Sequence, residues 1–254
     1  MLSAIVLTLN EERHLPECLA SLTWADEVVV FDSGSTDATP AIAAAAGARL
    51  VTRRFDNYGA QRDAALASVS SEWVLFVDAD ERIPPALRDE IRSVLERAEA
   101  GWWIPRHNYI FGTLTRHTGW YPDYQLRLLR RERARYDPTR PVHELVVLDG
   151  QTGHLTQPMV HLNYESVGEF VRKQTYYAAY DADRLRFEGV RAKPHHLVSQ
   201  PLRHFWWRFV TLAGWRDGWH GLRLSVLMAR FEFEKYRLLL RLKKEEGRGR
   251  REEG

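Results

Sequence analysis

A single cysteine, Cys18, occurs in 254 residues; it excludes an intramolecular disulfide and fits a reducing compartment. It lies on the apolar stripe Leu15, Cys18, Leu19 and Leu22, where a thiol packs as a small hydrophobe rather than acting as a nucleophile. No apolar run of about 18 residues occurs, so a membrane-spanning helix is not expected. No basic n-region followed by an apolar h-region opens the chain, so a secretory signal is not expected either. Net charge is also missing: 36 Lys and Arg face 34 Asp and Glu. That balance, with no evident platform for stacking bases, argues against nucleic acid as a partner. There is no internal repeat, and the only biased tract is the charged tail from Lys243, read as frayed or disordered. A hydrophobic content of 44% supplies a core for one large domain, or one domain with an appendage.

What is present begins with Trp73-Val74-Leu75-Phe76-Val77-Asp78-Ala79-Asp80. Its apolar run reads as a short strand buried on both faces. The run opens directly onto two carboxylates spaced i, i+2, at the strand end where open α/β sheets bind ligands. Two hard oxygen donors around one small residue suit a divalent ion that keeps other positions for water and phosphate. The same triplet also fits a plain Asp-rich turn.

Strands are predicted at Ala4–Leu9, Glu27–Phe31, Arg49–Val51 and Trp73–Val77, with helical patterns between them. The alternation predicts a mostly parallel sheet covered on both sides, an α/β fold. Asp32-Ser33-Gly34-Ser35-Thr36-Asp37 combines turn formers and N-cap residues, predicting a tight reversal into a helix.

Ile5–Glu11, Val30–Asp37 and Asp78-Ala79-Asp80, in that order at three successive strand ends, resemble the family 2 glycosyltransferases. Those are nucleotide-sugar enzymes of the GT-A fold. Within the family the chain looks closest to lipopolysaccharide-core glucosyltransferases of the WaaE type, through Trp24–Glu27, Asn57–Arg62 and Val142-His143-Glu144. The resemblance covers roughly the first hundred residues and thins beyond them. It implies that Thr8, Leu9 and Glu11 line a nucleoside pocket and that Asp32 faces the base. It further implies that Asp78 holds the ribose side and that Asp80 binds a divalent metal, Mg2+ or Mn2+, bridging the diphosphate. Arg62, at the mouth of a helix after Gly59, is a candidate phosphate contact.

Between Arg106 and Asp123 a long irregular stretch carrying Arg116, His117, Trp120 and Tyr121 reads as a functional loop for a sugar acceptor. An inverting transfer needs a carboxylate to take the acceptor's proton. Glu144 is the first candidate, on the Val-His-Glu match, and Asp123 the rival. His143 is a candidate to complete the metal shell, with an ordinary structural histidine as the alternative. The expected organisation is a catalytic domain over 1–165, divided into a nucleotide-sugar half (1–100) and an acceptor half (101–165), a helical appendage over 166–245, and a disordered tail over 246–254.

The appendage is dense in Trp, Phe and Arg, which fits an interfacial helix on an anionic membrane; cover for the sheet or a homodimer seam are the alternatives. The function expected is metal-dependent inverting transfer from a nucleotide-sugar donor, most simply UDP-linked, to a glycolipid or polysaccharide acceptor. It would take place in the cytoplasm, peripherally at the inner face of the plasma membrane. Transfer to a polyprenyl phosphate, or a scaffold that binds nucleotide-sugar without turnover, are the competing readings.

Overall fold

The computed structural model describes the backbone of residues 1–136 and 146–252, and side chains as far as Leu242. Its contacts divide the chain into two compact units, one of Met1–His107 with Pro122–Leu162, the other of Asn108–Tyr121 with Asn163–Gly254.

The first unit opens with β1 (Leu2–Thr8), α1 (Leu15–Ala20), β2 (Glu27–Asp32), α2 (Thr39–Ala45), β3 (Arg49–Thr52), α3 (Tyr58–Ala67) and β4 (Trp73–Asp78). A two-residue β5 (Glu81–Arg82), α4 (Pro85–Val94) and β6 (Gly101–Ile110) follow. β6 runs on into a hairpin with β7 (Thr113–Thr115), and β8 (Asp123–Arg130) returns to the sheet. β9 (Ala134–Tyr136) and β10 (Val146–Leu148) pair as a separate ribbon, and β11 (Thr152–His154) and β12 (Met159–Tyr164) complete the strands.

The main sheet has the order β3-β2-β1-β4-β8-β6-β12-β5. The β3-β2-β1-β4 half is parallel, as its buried strands and intervening helices predict. Beyond β4 the pairs β4–β8 and β8–β6 are antiparallel. β1 is central, and its register sets Thr8 opposite Asp32 and Leu7 opposite Asp78. Three strands therefore end together at one edge. Cys18 is fully buried in the core between α1 and the sheet, and burial pushes its thiol up, away from reactivity.

The second unit consists of the β6–β7 hairpin, α5 (Val167–Phe187), α6 (His196–Trp206) and α7 (Gly218–Glu252). Here the structure departs from the sequence reading. The stretch after Arg106 is not wholly irregular: β6 continues to Ile110, and Phe111 and Gly112, both at positive φ (53° and 72°), make a two-residue turn into β7. Tight hairpins favour such turns, but a phenylalanine at positive φ is uncommon and leaves no sequence signal. Ile110, Phe111 and Trp120 pack with Tyr164, Phe170, Leu224 and Phe231. Asn108–Tyr121 thus belongs to the helical unit, not to the acceptor half that the sequence reading gave it. α6 ends in a π turn over Trp207–Thr211, and a 3-10 turn over Gly214–Asp217 leads into α7. The backbone of α7 is helical as far as Glu252, across residues read as a disordered tail.

Phe76, in the middle of β4, has no exposed surface; Tyr136 meets its ring edge-on at 5.8 Å and the Arg62 guanidinium lies 5.2 Å from its centre. Phe76→Ala is expected to lower stability by about 3–5 kcal/mol, measured by urea unfolding; a loss below about 1 kcal/mol would show that β4 is not the packed centre of this unit.

Candidate active site

Most of the residues singled out in the sequence converge. Thr8, Leu9, Glu11, Arg62, Asp78 and Asp80 all line one cavity of about 520 Å³ beyond the strand ends, together with Ser33 and Gln61. A parallel sheet forms such a crevice because each strand hands over there to a loop leading into a helix.

Among the donor candidates Asp32 is the exception. It is only 1% exposed and is not among the residues lining the cavity. Its Oδ1 accepts from the hydroxyls of Thr8 (2.9 Å) and Ser35 (2.5 Å), and its Oδ2 accepts the backbone N–H groups of Gly34 (2.9 Å) and Ser35 (2.8 Å). A buried carboxylate requires this degree of satisfaction. Asp32 therefore shapes the loop after β2, and its neighbour Ser33 is the side chain that meets the cavity. The loop after β1 is laced to this turn. Asn10, at φ 57°, accepts from Thr36 N at 2.9 Å and donates its own N–H to Ser35 Oγ at 2.8 Å, while Glu11 N donates to Thr39 Oγ1 at 2.8 Å.

Asp78 sits in a charge network that the sequence did not reveal. Arg127, on β8, grips both of its carboxylate oxygens, and Arg62 Nη2 lies 3.4 Å from Oδ1. Burial pushes the Asp78 carboxyl upward, but Arg127 and then Arg62 outweigh it and hold the group well below the usual carboxylate range. The completely buried Glu81 side chain accepts from Asp78 N (2.9 Å), Arg106 Nη1 (3.2 Å) and Arg127 Nη2 (3.3 Å). Asp123 takes two N–H groups of Arg106 on Oδ2, at 2.9 and 2.6 Å, and one from Gln125 on Oδ1, at 2.9 Å. Its oxygens hold Arg106 and Gln125 in place, and its side chain is 27% exposed.

Asp80 has a neighbour that the sequence reading missed. The short antiparallel pairing of β5 with β12 sets His161 opposite Glu81, and Leu162 N donates to Asp80 O at 2.9 Å. This brings His161 Nε2 within 3.5 Å of Asp80 Oδ2, and both side chains line the cavity. Among the described residues no three His, Cys, Asp or Glu side chains cluster as a metal site. Two protein donors beside a phosphate-sized space nevertheless fit an Mg2+ or Mn2+ ion that completes its shell with substrate and water oxygens. His143 and Glu144 lie outside the described residues.

A second cavity, of about 480 Å³, shares Arg62 and Asp78 with the first and is also lined by Trp103, Arg106, Gln125, Arg127 and Tyr136. The part-exposed Trp103 indole beside these hydrogen-bonding groups can stack on and orient a sugar, while Tyr136, 5% exposed, closes the cavity from the core side. Arg116, His117, Trp120 and Tyr121, expected at the acceptor, are grouped with the helical unit.

A parallel half-sheet ending in a loop-laced crevice with an Asp-x-Asp at its lip defines a nucleotide-sugar transferase fold. The sequence profile of "Glycosyl transferase family 2" matches residues 3–147; the chain belongs to that family and has its GT-A fold. It is similar to the lipopolysaccharide core biosynthesis glycosyltransferase LpsC of Rhizobium meliloti, with 32% identity over 91% of this chain and 89% of the relative. An uncharacterized glycosyltransferase of Rickettsia felis shares 26% identity over 82% of this chain and 77% of its own. The mannosyltransferase PcManGT from Pyrobaculum calidifontis, solved with GDP-Man and Mn2+, superimposes with a TM-score of 0.55 over 94% of this chain and 86% of its own, at 13% identity. That likeness is one of fold.

Arg127→Met leaves Asp78 and Glu81 without their shared cation, and is expected to cost about 3–5 kcal/mol at pH 7. Because Asp78 is depressed in the folded state, its stabilisation is complete above the unfolded carboxylate value, about 3.9, and is lost as pH falls toward the lower folded value. The gap between wild type and variant, read by urea unfolding, should therefore narrow below about pH 4. A gap that stays constant down to the acid limit would contradict the pairing.

Proposed function

We propose that this family 2 glycosyltransferase transfers a sugar, with inversion, from a nucleoside diphosphate donor to a hydroxyl of a lipid-linked or polymeric glycan. The observation that carries this reading is the convergence of Thr8, Ser33, Arg62, Asp78 and Asp80 on one cavity at the strand ends.

Thr8, Leu9, Glu11 and Ser33 receive the nucleoside, most simply uridine, with Asp32 fixing Thr8 and the loop behind them. Asp78, held by Arg127, faces the ribose. Arg62, pointing from α3, contacts the diphosphate, where a guanidinium matches phosphate oxygens. Asp80 and His161 would hold a divalent cation, with His143 as a further donor; when bound, the cation supplies positive charge for the departing diphosphate.

The acceptor sugar occupies the second cavity, against Trp103. Its hydroxyl oxygen forms the new bond to C1 as the bond from C1 to the diphosphate oxygen breaks. Glu144 takes the hydroxyl proton. Tyr136 and Val146, which pair between β9 and β10 and both line that cavity, flank the segment carrying Glu144.

Arg62, Arg106 and Arg127, which line this cavity, are each engaged by a carboxylate of Asp78, Glu81 or Asp123. The similarity to LpsC supports an acceptor in the lipopolysaccharide core, met at the cytoplasmic face of the membrane. Among the described residues no helix is long and apolar enough to cross a membrane.

The test is a panel of nucleotide sugars assayed for hydrolysis and transfer with and without Mn2+. Wild type should consume one donor only with the metal present, and Asp80→Ala should abolish this. Glu144→Gln should lower turnover by about two to four orders of magnitude while leaving donor affinity intact. Undiminished activity of Asp80→Ala in the presence of a chelator would overturn the metal assignment, and full turnover by Glu144→Gln would remove the base.

A further inference from the structure

The helical unit carries an apolar surface that its own core does not cover. In α6, Val198, Leu202 and Trp206 recur every fourth residue and so share one side of the helix; each is 63% exposed. The π turn adds the exposed Trp207 and Val210, the 3-10 turn carries Trp215, and the start of α7 carries Trp219, 77% exposed. Four of the chain's nine tryptophans are thus exposed between the last residue of α6 and the first turn of α7. Scattered apolar residues are ordinary on a protein surface, whereas a contiguous aromatic patch marks a contact surface.

The exposed charges that flank these residues in sequence are of one sign. Between Lys193 and Arg230, Lys193, Arg203, Arg216 and Arg230 are exposed, Arg208 turns inward onto Thr118 O and the Trp120 ring, Arg223 lies over Phe111, and the only acid is Asp217. That acid is turned inward, accepting His117 N at 2.9 Å and His117 Nδ1 at 2.7 Å, with 9% of its side chain exposed. Arg216 lies 5.2 Å from the centre of the Trp215 ring, combining cation and ring in one element.

A second copy of the chain is a poor occupant. A two-fold interface presents the same patch from both sides, and here it would set the exposed Arg203 and Arg216 of one copy against those of the other. A layer of anionic headgroups meets both demands, giving phosphates to the arginines and an interface depth at which indole rings are favoured. We infer that the turn between α6 and α7 is a docking surface for an anionic lipid bilayer, with Trp206, Trp207, Trp215 and Trp219 entering the headgroup layer. The inference rests on the lipid-linked acceptor proposed above, which such a surface would keep within reach.

The full-length protein is mixed with vesicles of brominated phosphatidylcholine, with or without phosphatidylglycerol. Tryptophan emission should be quenched by the anionic vesicles only, and affinity should fall about tenfold or more at about 0.5 M salt, where charges are screened. Trp206→Ser/Trp219→Ser should weaken vesicle binding about tenfold or more, with unchanged circular dichroism and unchanged donor hydrolysis in solution. Absence of quenching, equal affinity for neutral vesicles, or a dimer in sedimentation that this double variant dissociates would overturn the inference. Vesicle binding by a protein that hydrolyses no donor would support the docking surface and count against the transferase reading alone.

Discussion

The register of β1 between β2 and β4 is the constraint on which everything else depends. It sets Thr8 beside Asp32 and Leu7 beside Asp78, so the loops that follow all open on one crevice. A slip of one residue would turn the apolar side chains of these strands to the wrong face. Asp32 reinforces that constraint from inside. Its four accepted hydrogen bonds join the end of β1 to the turn after β2, and a carboxylate so deeply buried is stable only because each oxygen is satisfied.

A second layer of organisation is electrostatic. Arg127 and Arg106 reach from β8 and β6 to Asp78, Glu81 and Asp123, tying the antiparallel half of the sheet to the lip of the parallel half. Such buried pairs contribute little net stability compared with a well-packed apolar core, but removing one partner strands the other charges. Their effect here is positional: Asp78 and Arg62 stand at the border of two cavities, one suited to a nucleotide and one to a sugar.

The parallel half of the fold was legible in the sequence because doubly buried strands are continuous apolar runs and the residues that follow them are turn formers. Asp78 and Asp80 were legible for the same reason, standing directly after such a run. His161 was not, since only the pairing of β5 with β12, distant in sequence, brings it to Asp80, and a lone histidine in Met159–Tyr164 carries no mark of its partner. Glu81 and Arg127 were hidden in the same way, because an ion pair between two strands has no sequence period. The sequence reading set Asp32 facing the base, whereas its neighbour Ser33 lines the cavity: alternation along a strand fails where the strand ends, and only the hydrogen bonds show that Asp32 faces inward. The hairpin at Phe111-Gly112 was lost because its first turn residue is a phenylalanine at positive φ.

The account stands or falls on the crevice at the strand ends being the donor site, and a crystal structure of the protein soaked with UDP and Mn2+ tests it directly. It predicts the nucleotide against Thr8, Ser33 and Asp78, with its diphosphate near Arg62 and the ion on Asp80 and His161. A nucleotide bound elsewhere on the molecule, with those side chains untouched, would contradict it.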